Sequence, residues 1–261
     1  MVPRLFWGMT QLDDKGMAGS IVLELPVAIR QALAGLRTPA ASINTKGIDN
    51  AVIAFGASVD VDKAVQWINS ATTVAQLTPM QCPQLASFNT MVSAMRAGTQ
   101  QALPPYLQGL RSLVIAVNDI VKQPLRIDGF AMLEGKDMSM LAALLGALPG
   151  MANLRTDGTP IALPTSNLNL SPDTSAHAAI SQNRAALAFG DNTEAHVQQL
   201  MVAPQDHQAP LAFMHYDFPR LKEMAAQLGS PMDEQSVEFG IATIVLNLSD
   251  AGVKIDFTST W

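Results

Sequence analysis

Four histidines, His177, His196, His207 and His215, all lie in the second half of the chain. They are the side chains that could move protons near neutral pH. None forms a His-x-His or His-x-x-x-His pair, so no metal-ligating spacing is present and no metal is expected. The densest polar-aromatic cluster is His215-Tyr216-Asp217, where a carboxylate could orient a general base. His177, His215 and Asp217 are therefore the candidates for a hydrolase site gathered from dispersed positions. The structural alternative, which we prefer, makes Asp217 a helix cap beside an interfacial tyrosine and leaves the histidines on polar faces.

Other chemistry is thinner. Gly56-Ala57-Ser58-Val59-Asp60 begins like a nucleophile elbow, but Asp60 stands where the second glycine must allow close packing. Ser58 reads instead as a strand end before a helix cap. The acid pairs Asp60/Asp62, Glu134/Asp137 and Asp191/Glu194 each fall at a predicted helix start, where free amides and the helix dipole account for the charge. Cys82, the single cysteine, lacks basic neighbours that would activate it and reads as a small buried hydrophobe or a helix-start residue. No dinucleotide fingerprint or phosphate-binding loop is present, so no cofactor is implied.

Composition narrows the class. The 261 residues are 48% hydrophobic and 15% charged, apolar beside the ~25% charge of an ordinary domain. A net charge of −6 repels phosphate backbones, which removes nucleic acid from the expected partners. No run reaches the ~20 apolar residues that span a bilayer, and Met138–Leu148, the best candidate, stops at Pro149. The stretch up to Gly16 has no sustained apolar segment, so no signal peptide is read there. The expectation is a cytoplasmic chain, or the mature part or a fragment of an exported one. Low charge, abundant Ala, Thr, Ser, Asn and Gln and one cysteine suit an exported bacterial protein.

The elements that must position any site follow from periodicity. Strands are expected at Leu5–Met9, Ser20–Leu25, Arg111–Asp119 and Leu125–Leu133. Ala51–Ser58 reads as a strand buried on both faces or nearly so. Helices are expected after Pro26, over Val61–Ser70 with Asp60 as cap, and over Gln84–Ala97, where Phe88, Met91, Val92 and Met95 make one stripe. A threonine-rich bridge joins the last two. Further helices are expected at Met138–Leu148, Thr193–Met201 and after Asp217-Phe218-Pro219. Asp157-Gly158 predicts a hairpin joining Met151–Arg155 to Thr159–Leu163. Two more hairpins are expected, Ser175–Ile180 with Arg184–Phe189, and Val237–Asn247 with Val253–Phe257.

The phrase strand, acid, apolar helix recurs at four places: Ala51–Asn69, Leu125–Met151, Ala185–Met201 and Pro210–Leu228. The expected fold is α+β, with antiparallel sheets, amphipathic helices packed on one face, and two similar halves, 1–103 and 104–261. Methionine crowds the second half, at Met132, Met138, Met140, Met151, Met201, Met214, Met224 and Met232. Core filling is the first reading. An apolar groove is the functional one, with Met132, Met138, Leu141, Met214 and Met224 as its candidate lining.

The copies GFAMLEGKDMSMLAALLGALP, AALAFGDNTEAHVQQLMVAP and PLAFMHYDFPRLKEMAAQL resemble uncharacterised exported or lipoprotein-like proteins of Gram-negative bacteria. The resemblance implies an α+β fold in the periplasm or cell envelope and transfers no catalytic or binding residues. The function expected is a non-catalytic binding or assembly module, taking an apolar small molecule or a protein partner. The hydrolase is the alternative.

Overall fold

The computed structural model describes residues 4–41, 48, 50–82, 86–101, 103–122, 124–147, 151–165, 170–230 and 240–261. In chain order the first elements are β1 (Arg4–Asp13), β2 (Gly16–Glu24), α1 (Val27–Leu36), β3 (Ala40–Ala41), β4 (Ile53–Ser58), α2 (Val61–Leu77) and α3 (Ala86–Gln100). A single 3-10 turn, Pro105–Leu107, leads to β5 (Leu110–Lys122), β6 (Leu125–Gly135), α4 (Ser139–Gly146) and β7 (Ile161–Ala162). Then come β8 (Ser175–Ile180), β9 (Arg184–Gly190), α5 (Thr193–Val202), β10 (Gln205–Asp206), β11 (Ala212–Asp217) and α6 (Phe218–Gln227). The hairpin β12 (Ile241–Leu248) and β13 (Gly252–Thr260) closes the chain. The fold is α+β, as expected.

Among the described residues, eleven strands make one antiparallel sheet in the order β1-β2-β13-β12-β11-β4-β5-β6-β9-β8-β7, and β3 pairs separately with β10. Positions 1–103 and 104–261 do not form separate sheets. Strand β4 lies between β11 and β5, and β2 pairs with β13.

Alternation defines two faces. On the inner face, Ala54, Val114, Ala116, Phe130, Met132, Ala186, Ala188 and Phe213 form the main core with Val197 of α5. On the outer face, Leu133, Ile180 and Ala185 pack against Leu141 and Ala142 of α4. Helices therefore cover both faces, not one. The reason is visible in β8 and β9: both are alanine-rich and buried on both sides, so each face needs its own cover. The reverse holds for Ala51–Ser58. Ala54, Gly56 and Ser58 are buried, but Phe55 is exposed, so this strand is covered on one side only.

Other differences have local causes. The threonine-rich bridge is helix, and α2 runs on to Leu77. Its hydroxyls bond back to carbonyls one turn earlier, Ser70 to Gln66, Thr72 to Ile68 at 2.8 Å and Thr73 to Asn69 at 2.7 Å. That lets threonine sit inside a helix. Asp157 makes its turn, accepting from the Thr159 amide, but no hairpin grows from it and only Ile161–Ala162 pairs as strand. Conversely, β1 and β2 form a long hairpin across Asp13–Gly16, where Asp13 Oδ1 accepts from the Lys15 and Gly16 amides. The expected turn at Lys46-Gly47, Ala102 of the expected break, the helix start at Gln84, the helix end at Leu148 to Gly150, Pro231, Met232 and the strand start at Val237 lie outside the described residues.

Candidate binding site on the outer sheet face

One apolar row crosses the whole sheet. From Phe55 in β4 the register runs one way through Ile115, Ala131, Leu187, Ala178 and Ile161. The other way it runs through Met214, Ile244, Phe257, Gly19 and Met9. No polar residue interrupts it. Over β6, β9, β8 and β7 the outer face is covered by α4, Met151, Leu154 and Leu163. Over the middle it is open: Phe55, Ile115, Met214 and Ile244 are 37%, 42%, 38% and 43% exposed. These four lie side by side on adjacent strands, so they form one patch. Contiguous exposed apolar surface of this kind marks an interaction site more often than scattered apolar residues do.

Beside the patch, the next row, Ala57, Leu113 and Leu133, floors a crevice of about 490 Å³. Leu141 and Leu144 of α4 wall one side, and Tyr106 and Leu107 of the 3-10 turn another; Val59, Val61, Leu110 and Ser112 also line it. Its size falls within the ~300–1,000 Å³ of ordinary small-molecule pockets. The walls are placed by a few polar ties. Asp60 caps α2 by accepting from the Lys63 amide at 3.1 Å. Asp62 accepts from the Gly109 amide at 3.1 Å and from Lys136 Nζ at 2.9 Å, joining α2, the approach to β5 and the β6–α4 turn. Asp60 adds a second carboxylate 3.5 Å from Lys136 Nζ. The hydrogen bond from Lys136, then that from Gly109, holds the Asp62 carboxyl below its ordinary pKa, and Asp62 raises Lys136. Asp137 accepts from the Ser139 amide at 2.8 Å and starts α4.

Glu134 belongs to none of this. It was expected at a helix start, but it is buried in β6. There the Arg184 Nε and Nη2 donate to Glu134 Oε1 at 2.9 and 2.7 Å, and Ser112 donates to Oε2 at 2.8 Å. Arg184 Nη1 also reaches the Leu200, Met201 and Ala203 carbonyls, which closes the carboxyl end of α5. This network anchors a helix to the sheet.

The histidine candidates do not come together. His177 in β8 and His215 in β11 are five strand spacings apart, roughly 24 Å at ~4.8 Å each. His177 Nδ1 lies 2.8 Å from Thr193 Oγ1, and His215 Nδ1 lies 2.9 Å from Thr243 Oγ1. Asp217 caps α6, accepting from the Arg220 amide at 3.1 Å. Around His177, Thr193 links the ring to Ser175 and Ser175 donates to the Gly190 carbonyl, so these hydroxyls fasten α5 to β8. Ser58 is fully buried and donates to the Pro210 carbonyl. His196 packs edge-on to Phe130 at 4.9 Å; burial pushes its imidazole pKa down, partly opposed by Asp128. His207 lies in the turn after β10. Cys82 is exposed, not buried. Among the described residues, no three His, Cys, Asp or Glu side chains could hold a metal ion.

The methionine candidates scatter as well. Met132 is in the inner core, Met138 is buried beneath α4, and Met224 is buried on α6. Leu141 lines the crevice and Met214 lies on the open patch. Among the missed lining residues, Ala57, Leu113 and Leu133 come from strands, and their signal was apolar residues at both parities of β4, β5 and β6, whereas Leu144, Tyr106 and Leu107 come from α4 and the 3-10 turn. None of the described helices is long and apolar enough to cross a membrane. Compared with protein-family models, curated proteins and solved structures, the chain matches none.

Proposed function

We propose that this protein is a non-catalytic binding module of the bacterial cell envelope. It takes a linear apolar guest, such as an acyl chain, into the crevice beneath α4 and along the open outer face. The observation that carries this reading is the continuity of the crevice floor, Ala57–Leu113–Leu133, with the exposed row Phe55, Ile115, Met214 and Ile244. An apolar guest lying there would remove from water surface that the fold itself leaves wet. The low charge of the chain supports the envelope location. The same reading takes β4–α2, β6–α4, β9–α5 and β11–α6 as variants of one building block in two similar halves. The hydrolase alternative lacks an assembled site, because His177, His215 and Asp217 each serve a separate local bond.

Fluorescence titration of the 261-residue chain with N-phenylnaphthylamine, followed by displacement with palmitate, tests the guest. Leu144 is half exposed on the crevice wall, so Leu144→Arg should leave the fold intact. It should weaken probe binding by about tenfold or more, because a charge has no partner in the crevice. Binding that ignores this substitution, or no binding at all, rejects the crevice. Recovery of the native protein in the cytosolic fraction of its host rejects the location.

A further inference from the structure

The first strand ends the sheet with all ten of its residues exposed, and it is unlike a protected edge. Natural edges are kept short or carry lysine or proline against pairing. The opposite edge, β7, has two residues. Strand β1 has neither lysine nor proline, and it shows Trp7, Leu12 and Leu5 at 74%, 68% and 67% exposure. Its one irregularity is the bulge at Thr10, where the register with β2 slips between Met9 and Gln11. The bulge shifts side-chain parity. Before it, Leu5, Trp7 and Met9 share the outer face, and after it Leu12 does. Arg4, Phe6, Gly8, Gln11 and Asp13 take the inner face.

We propose that two copies of this chain join edge to edge through β1, antiparallel about a two-fold axis at Gly8. This register sets Leu5 against Leu12 of the second copy and Trp7 against Met9, all on the outer face. On the inner face Arg4 meets Asp13 of the second copy, Phe6 meets Gln11, and Gly8 meets Gly8. The Gly8 pair sits on the axis and each of the others occurs twice, as an isologous contact requires. The two bulges fall at symmetric positions and leave the pairing in step. The match is specific. A slip of one residue sets apolar faces against polar ones, and a slip of two leaves Arg4 and Asp13 without each other. The Asp13 carboxylate is already oriented by the Lys15 and Gly16 amides and the Gln11 side chain. A strand from an unrelated protein has no reason to meet a pattern that reads the same from both ends, so a second copy is the partner. Pairing would make the two apolar outer faces one surface.

Sedimentation equilibrium of the 261-residue chain should show a reversible dimer, and Trp7→Lys, on a fully exposed strand, should raise its dissociation constant by about tenfold or more. A cross-link then tests the register. A side chain at Gly8 meets nothing within 4 Å in the single chain, so Gly8→Cys is tolerated there. Paired strands hold facing Cα atoms about 4.5–5.5 Å apart, within disulfide reach. In a Cys82→Ser background, mild oxidation should link Gly8→Cys chains into covalent dimers and leave Phe6→Cys chains unlinked. A chain that stays monomeric at every concentration overturns the proposal. So does a dimer indifferent to Trp7→Lys, or one that links through Phe6→Cys and not Gly8→Cys.

Discussion

The two ends of the sheet are built from the same alternating grammar and reach opposite outcomes. At the β9–β8 end, both faces are buried, by α5 and the Arg184–Glu134 clamp on one side and by α4 on the other. At the β12–β13–β2 end, the inner face carries Thr243, Thr258, Ser20 and the Lys254–Asp256 pair, while on the apolar outer face Leu23 and Ile244 are exposed. Apolar residues on a strand thus define a surface that wants cover. Whether the chain supplies that cover depends on which helices land there. One end of the sheet is a finished core, and the other leaves part of its apolar face exposed.

The contrast can be broken most severely at the clamp. Glu134→Leu leaves the Arg184 guanidinium buried without its carboxylate and should cost about 3–5 kcal/mol in urea unfolding. Adding Arg184→Met should recover part of that loss, which would separate the cost of an orphaned charge from the worth of the pair. A matched methionine pair comes next. Met132→Ala in the covered core should cost about 2–5 kcal/mol, against less than about 1 kcal/mol for Met214→Ala on the open patch. Equal losses would mean that the patch is not open in solution. Third, α2 buries only Thr72 among its described side chains, so its own cap should matter. Asp60→Ala should cost about 1 kcal/mol, readable as lost helical circular dichroism on mild heating.

The smallest effect is a pH dependence. His196 has its folded pKa below the ordinary value, chiefly because burial disfavours the charged ring. The unfolded chain therefore binds a proton more readily. The contribution is complete above the unfolded value, about 6.5, and is lost as pH falls through the folded one. Melting temperatures between about pH 8 and pH 5 should decline toward acid, and His196→Phe should flatten that slope. An unchanged slope would mean that the covered end does not hold the ring in a dry site.

Most of the strands and helices were legible because they rest on local rules. Asp60 and Asp217 announce their helices, and Pro26 opens α1. The α2 extension was hidden because threonine is a poor helix former until its hydroxyl finds the preceding turn. The β1–β2 hairpin had a signal in Asp13-Asp14-Lys15-Gly16, where an aspartate can close the turn with its own side chain. The site was less legible. Placing Phe55 beside Ile115 and Met214 needs the strand order, and β11 reaches β4 across a long separation in sequence. Glu134 illustrates the same limit, since only tertiary contact with Arg184 makes it a clamp and not a cap.

Asp62 and Lys136 leave one last consequence. Their bond draws together α2, the approach to β5 and the β6–α4 turn, which carry the crevice walls, yet both side chains stay partly in water, 31% and 43% accessible. Dissolved ions weaken such an attraction. Uptake of an uncharged guest should then respond to ionic strength even though the guest carries nothing for salt to act on. Titrating a neutral probe at low and high sodium chloride would reveal it, and Lys136→Met should abolish the difference.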